Sequence, residues 1–191
     1  MYGEMNIALI AKKGGVGKST LTLLLYEALR QAGKSVQIRD WDVQGTSTKA
    51  LELFAKGPAP DGTPEIVLYD TPPNLEHTAT AVAVRDADIS LVVTTPSPAD
   101  VWEAGEAVQF AQSRHPEAIV RVVYNKVRKT TILGRLAEQS SIQSGGTPSL
   151  GVRISSRECY QHAIAQGWAA LDGAAREEVL QFGLGVLSLR T

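Results

Sequence analysis

The sequence predicts an α/β fold, a doubly wound, mostly parallel sheet flanked by helices. Three observations predict it. Short apolar runs such as Asn6-Ile-Ala-Leu-Ile-Ala11 read as strands buried on both faces. Stretches with helical spacing alternate with those runs, the pattern of strand–helix–strand units. Polar residues gather just beyond the strands, at Lys12–Thr20, Asp40–Gln44, Asp70–Pro73, Pro96–Asp100 and Asn125–Lys129. Ligands of open α/β sheets sit at those carboxyl ends.

The first run leads through a glycine-rich turn to Leu21, Leu24, Leu25, Ala28, Leu29 and Ala32, a helical stripe stopped by Gly33. Ser35-Val-Gln-Ile-Arg39 follows as a strand entering Asp40-Trp-Asp42, which implies a right-handed parallel crossover. Glu65–Tyr69 ends at Asp70, Asp88–Val93 ends at Thr94-Thr95-Pro96, and Ile119–Tyr124 ends at Asn125. Helical patterns fit the stretches near 75–84, 100–113, 131–140, 156–166 and 172–187. Ala55–Pro64 and Ser140–Ser149 carry loop chemistry, rich in glycine with proline or serine. There is no internal repeat, and one domain is expected over residues 1–191.

Composition narrows the function classes. With 43% hydrophobic residues and a net charge of −1, the chain is neither disordered nor a strongly basic nucleic-acid binder, though a local basic patch is allowed. Cys159 is the only cysteine, which excludes a disulfide framework and any multi-cysteine zinc or iron–sulfur site. His77, His115 and His162 show no ligand spacing. No apolar run reaches transmembrane length and the start lacks signal-peptide features, so a soluble, cytoplasmic protein is expected.

The strongest chemical signal is Lys13-Gly14-Gly15-Val16-Gly17-Lys18-Ser19-Thr20, placed between a buried strand and an amphipathic helix. Glycines let the backbone curl until several N–H groups face phosphate oxygens, and the helix N-terminus adds a positive dipole. Lys18 then suits the β/γ-phosphates and the Ser19 hydroxyl suits Mg²⁺. The strict form of this motif wants glycine at position 12, where the chain has Lys12, and the lysine-first variant fits throughout. Asp42 and Asp70 follow strands, where carboxylates can orient a water or anchor Mg²⁺. An aspartate at a strand end can instead cap the next helix, a reading more open for Asp40 than for Asp70. Lys13 can be a solvated surface lysine, and Asn125 can simply end its strand.

Together these stretches resemble the ParA/MinD family of deviant-Walker P-loop ATPases. The first lysine of KGGVGKST matches that family's signature lysine, Arg39-Asp-Trp-Asp-Val-Gln-Gly45 is similar to its D-x-D-P-Q-G segment, and Val67-Leu-Tyr-Asp-Thr-Pro-Pro73 is similar to its Walker B strand. Thr95-Pro-Ser-Pro-Ala-Asp100 and Arg153-Ile-Ser-Ser-Arg157 look like segments of small partition members. The resemblance implies a P-loop NTPase fold, weak hydrolysis of ATP with Mg²⁺, and a nucleotide-dependent homodimer. It implies that Lys13 reaches the partner's nucleotide, that Asp42 and Asp70 serve catalysis and metal, and that Asn125 contacts adenine. It also implies nucleoid association through non-specific DNA binding, and a ParB-like adaptor that stimulates turnover.

The chain departs from the family at Val43, where proline is usual, and in the 27 residues between Asp42 and Asp70, a short spacing. An N-terminal helix-turn-helix extension is not expected. Partition of plasmid or chromosomal DNA is the first reading, positioning of a protein cargo the second, and a MinD-like DNA-independent regulator the third. Glu177–Arg190 has one basic and two acidic residues, unlike a basic membrane-binding helix, so it is expected to pack on the sheet and no membrane partner is expected. Lys126, Arg128, Lys129, Arg135, Arg153 and Arg157 are the candidate DNA contacts. Trp41, Trp102, Trp168, Cys159 and His162 are expected to be packing residues. A synthetase or reductase component is the enzyme alternative, and the single cysteine disfavours the reductase.

Overall fold

The computed structural model describes residues 4–54, 62–139 and 146–190. Six strands, β1 (Met5–Ile10), β2 (Val36–Asp40), β3 (Ile66–Asp70), β4 (Ile89–Thr94), β5 (Ile119–Val127) and β6 (Ser149–Ser155), form one sheet in the order β2-β3-β1-β4-β5-β6. Every pairing is parallel. The doubly wound α/β expectation therefore holds, with β1 at the centre and the chain winding away from it in both directions. Register aligns Asp40 with Asp70 and Leu9 with Asp70, so the ends of β1, β2 and β3 meet at one place.

Alternation along the strands divides the core. Ile7, Leu9 and Leu68 face α1 (Lys18–Gln31), α6 (Cys159–Gln166) and α7 (Gly173–Leu187). Ala8, Ile10 and Val67 face α3 (Thr78–Asp86), α4 (Pro98–Arg114) and α5 (Ile132–Gln139). Strands buried on both sides need apolar residues at every position, and β3 and β4 are buried throughout. The apolar face of the C-terminal helix, with Val179, Phe182 and Val186 buried, packs as expected, on α1 and β6.

The structure corrects several boundaries. Helix α2 (Thr46–Phe54) has no counterpart among the sequence expectations. Asp40 supports it: its carboxylate accepts from the backbone N–H of Thr48 at 2.9 Å and from the Thr48 hydroxyl at 3.2 Å. Strand β6 was likewise not expected, and it starts within the stretch read as a loop; Gly151 at φ 85 interrupts its alternation. Residues 140–145 of that loop, and residues 55–61 of Ala55–Pro64, lie outside the described residues. Strand β5 does not stop at Asn125 but continues to Val127. Helix α3 starts only at Thr78, where the His77 ring accepts from the Ala79 N–H at 3.2 Å.

Helices α1 and α7 pack tightly at Gly183, where an added Cβ would lie 2.8 Å from the Ala28 Cβ. Gly183→Leu should therefore force the two helices apart and cost about 1–3 kcal/mol, the usual range for overpacking. Thermal denaturation checks this, with Leu184→Ala on the exposed side of the same helix expected to melt like the parent.

Candidate functional site

The turn between β1 and α1 is built as its glycines require. Gly15 (φ 82) and Gly17 (φ 92) adopt the left-handed region, which β-carbon-bearing residues enter only with strain. Gly17 is excluded from bearing a side chain for a second reason: an added Cβ would collide with the Asn125 amide. Val16 points into the core between them, 4% exposed, and anchors the loop from below. Gly14 lies 3.6 Å, measured from its added Cβ, from the Pro73 ring, so the end of β3 closes one flank.

Strand β5 holds the other flank. The Asn125 Nδ2 donates to the Val16 carbonyl at 2.8 Å, and the Lys126 ammonium donates to the Gly15 carbonyl at 2.6 Å. The Asn125 Oδ1 accepts from the Lys126 N–H at 2.8 Å, and Lys126 itself sits at φ 55. Both ends of the Asn125 amide thus engage protein. The residue lines the cleft but braces the phosphate loop, a role that the expected end of the strand at Asn125 did not disclose.

Beneath the loop lie Lys18 and Asp70, both buried. Burial pushes the Lys18 ammonium below its ordinary pKa, and the nearby carboxylates of Asp70 and Asp42 oppose that shift. Burial pushes the Asp70 carboxyl up, against the Ser47 and Ser19 hydroxyls and the Lys18 charge. Ser47 Oγ donates to Asp70 Oδ2 at 2.5 Å, whereas Oδ1 is buried and accepts no hydrogen bond. A carboxylate oxygen desolvated without a partner is costly, and a cation with its waters relieves that cost. Ser19 and Asp70 therefore fit a Mg²⁺ ion carried in on phosphates, which needs few protein ligands. Among the described residues no cluster of three or more His, Cys, Asp or Glu could hold a metal alone.

The cleft has a volume of about 730 Å³, within the range of nucleotide-sized sites. Gly14, Gly15, Gly17, Lys18, Ser19 and Thr20 line its phosphate end, and Asp42 and Gln44 line one side. Asp42 is half-buried and its Oδ1 accepts from the Gln44 N–H at 3.0 Å. Lys13 is different. It is absent from that lining, and its ammonium pairs with Asp100 at the start of α4 at 3.0 Å. Hydrogen bonding to Asp100 raises the Lys13 pKa, so it stays charged. Burial alone would raise Asp100; the Thr95 hydroxyl, at 2.5 Å, and Lys13 outweigh it and hold the carboxyl below its usual range. Lys12 pairs with Glu106 further along α4 at 2.7 Å.

The basic residues do not form one surface. Lys126, Arg128 and Arg157 line the cleft, while Lys129, Arg153 and Arg157 line a second groove between β6 and α7. Two packing expectations are corrected: Trp102 is 74% exposed, and His162 is exposed beside Glu158 at 3.7 Å. Trp41 does pack, against Tyr69 with ring centroids 4.8 Å apart. Sequence reasoning did not single out Ser47, Thr71 or Asp100 for a site role. Thr71, whose hydroxyl ties β3 to the Leu9 carbonyl at 2.8 Å, and Asp100 both lay inside quoted motifs.

A parallel sheet with a glycine loop at the end of its central strand, a buried lysine and an orphaned buried carboxylate defines a nucleotide-binding protein of the phosphate-loop class. The family model described as the CobQ/CobB/MinD/ParA nucleotide binding domain matches residues 7–168, and the chain belongs to that family. Two relatives are named maintenance of carboxysome distribution protein A. The one from Halothiobacillus neapolitanus is 23% identical, covering 89% of this chain and 88% of its own length. The one from Gloeobacter kilaueensis is 28% identical, covering 86% and 83%. In fold, the MinD cell division protein of Aquifex aeolicus matches with a TM-score of 0.76 at 18% identity, covering 96% of this chain and 97% of that one. A protein described as a plasmid partition protein of Borrelia burgdorferi B31, bound to AMPPNP, matches with a TM-score of 0.75 at 16% identity, covering 97% and 99%. Among the described residues no helix is long and apolar enough to cross a membrane.

The brace role of Asn125 and an adenine contact predict different outcomes for Asn125→Ala. Leaving the buried Val16 carbonyl without its donor should cost about 1–3 kcal/mol in the loop that holds phosphates. Calorimetric affinities for ATP and inorganic tripolyphosphate should then fall together, whereas an adenine contact would lower ATP affinity alone.

Proposed function

We propose that this chain is an ATP-hydrolysing, dimerising switch that positions a cargo. The observation that carries the reading is the placement of Lys13. A lysine of the phosphate loop that does not line its own cleft, and stays charged on an exposed rim, is placed to act on a nucleotide held by a second copy. In this reading Gly14–Gly17 and Thr20 cradle the phosphates, Lys18 neutralises the β/γ charge, and Ser19 and Asp70 hold Mg²⁺, which supplies further charge neutralisation. Asp42, at the cleft side, orients the attacking water or shares the metal. The partner's signature lysine adds charge where it develops in the transition state, so turnover waits for dimerisation.

The sequence alone ranked plasmid or chromosomal partition first. The names of the two carboxysome-distribution relatives favour a large protein assembly as cargo instead, with a ParB-like adaptor linking it to the ATPase. Non-specific DNA serves as the track, bound by Lys129, Arg135 and the groove cations once two copies are joined. The protein is then nucleoid-associated in its ATP state.

Light scattering with each nucleotide tests the switch. The parent should dimerise with ATP and not with ADP, and Lys18→Ala should bind neither. Lys13→Ala should bind ATP within about threefold of the parent and hydrolyse it at least about tenfold more slowly, the scale expected when one transition-state charge is removed. Full turnover by Lys13→Ala would overturn its role in trans, and Asp42→Ala should accumulate as the ATP-bound dimer.

DNA binding tests the track. Arg128 lines the nucleotide cleft, so the informative charge reversal is Lys129→Glu with Arg135→Glu. Each phosphate contact contributes about −0.9 to the log–log salt slope, so the double variant should bind duplex DNA more weakly and less steeply with salt while keeping its ATP affinity. Mobility shifts of unrelated duplexes with ATP, ADP and no nucleotide measure this, and equal binding in all three states would exclude the switch.

A further inference from the structure

Glu178 lies on α7, outside the nucleotide cleft, and its side chain is only 14% exposed. Its carboxylate is saturated by one short segment. Oε1 accepts from the Ser155 N–H at 2.7 Å and from the Tyr160 hydroxyl at 2.6 Å, and Oε2 accepts from the Ser155 hydroxyl at 2.6 Å. Arg157 Nη2 stands 4.0 Å from Oε2. Ser155 is the last residue of β6 and Tyr160 lies in the first turn of α6, so one carboxylate fixes both ends of the connection between them. Hydrogen bonds to an ionised acceptor are the strong kind, and three converge here. Burial, with Glu178 second, raises the Tyr160 pKa far above the physiological range, which keeps the phenol a donor.

That connection is a wall of the cleft. Ser155, Ser156, Arg157, Tyr160 and Gln161 all line it, and none belongs to the glycine loop. A nucleoside triphosphate whose phosphates sit on Gly14–Thr20 has to extend its nucleoside along the remaining lining. Besides Glu178, the wall is held by the pairing of Ser155 with Val127 and by the ring of Tyr160 buried in the core. Ser156 is tied by its N–H to the Val127 carbonyl at 2.9 Å, and Arg157 Nε is buried without an acceptor.

We propose that Glu178 is a positioning residue for the nucleoside end of the bound nucleotide: it touches no substrate, and it holds the Ser155–Tyr160 wall at the distance that the nucleoside requires. The inference rests on the reading that the cleft takes ATP. Because the glycine loop is braced separately, by Asn125 and Lys126, the phosphate end does not depend on Glu178. The same wall borders the groove that contains Lys129 and Arg153, so Glu178 also separates the nucleotide from that groove.

Calorimetry with Mg²⁺–ATP and with Mg²⁺–tripolyphosphate, a ligand lacking the nucleoside, separates positioning from general support. For Glu178→Ala, ATP affinity should fall at least about tenfold while tripolyphosphate affinity stays within about twofold, because buried donors lose their acceptor only at the wall. Glu178→Gln keeps one carbonyl acceptor and should lie between. Tyr160→Phe removes one of the three bonds and should give a smaller loss of the same kind, non-additive with Glu178→Gln since both break one network. These two milder variants carry the test should Glu178→Ala fail to fold. Equal weakening of both ligands, or unchanged ATP binding, would overturn the proposal. A parent protein that binds tripolyphosphate but discriminates no nucleoside would overturn the ATP reading instead, a distinct result.

Discussion

A backbone loop that turns its N–H groups inward towards phosphate must turn carbonyls outward, and in this protein those carbonyls are met by β5. The Val16 carbonyl takes the Asn125 amide and the Gly15 carbonyl takes the Lys126 ammonium. Without Asn125 the buried Val16 carbonyl would be left unpaired, a cost of about 1–3 kcal/mol, whereas the Gly15 carbonyl lies at the exposed end of the brace. The brace has its own cost, since Lys126 is held at φ 55, a conformation that side chains rarely adopt. Strain at one residue next to a functional loop is common where the surrounding structure fixes it. Two β5 side chains thus link the sheet to the loop, and every other feature of the site is placed relative to that link.

Beneath the loop the charges are balanced but incomplete. Lys18 is pushed towards neutrality by burial, Asp70 towards protonation, and each restrains the other. The register that puts Asp40 beside Asp70 works against ionisation of Asp70, and Ser47 works for it. A polar cluster with one orphaned oxygen is expensive in isolation and stable once a cation and phosphates complete it. The folded chain therefore already contains the charge pattern that a cation and phosphates would complement.

Much of this was legible in the sequence because it depends on local rules. Apolar runs located β1, β3 and β4, and a lysine-rich glycine turn located the phosphate loop. What escaped depends on pairing at a distance. Strand β6 has a glycine inside it and a single buried residue, Ile154, and its identity comes from parallel pairing with β5. Helix α2 is short and opens on the polar run Thr46-Ser47-Thr48-Lys49, and Asp40 and the Ser47–Asp70 bond fix it. Lys126, Arg128, Lys129 and Arg135 look like one cluster in sequence, yet β5 runs on through Asn125 and aims Lys126 at Gly15 while Lys129 passes to another groove. Trp102 reads as a core residue by type, and only the helix phase of α4 shows that it faces outward.

The exposed front of the loop follows a different physical logic from its buried base. Lys12 and Lys13 each have a carboxylate on α4, Glu106 and Asp100, and all four side chains except that of Asp100 are well solvated. Exposed ion pairs are weak and screened by salt, so these contacts orient the lysines without confining them. That is what a residue proposed to serve a second copy requires: charged, directed along the rim, and free to exchange one carboxylate for a phosphate. Asp100 is the less exposed partner and is held by Thr95, so the exchange moves the lysine and leaves the helix in place. A buried lysine in the same position would be fixed in its own cleft by desolvation, as Lys18 is. The two lysines of one short motif therefore divide by burial into one held inside its own cleft and one exposed on the rim, the division that the proposed role in trans requires.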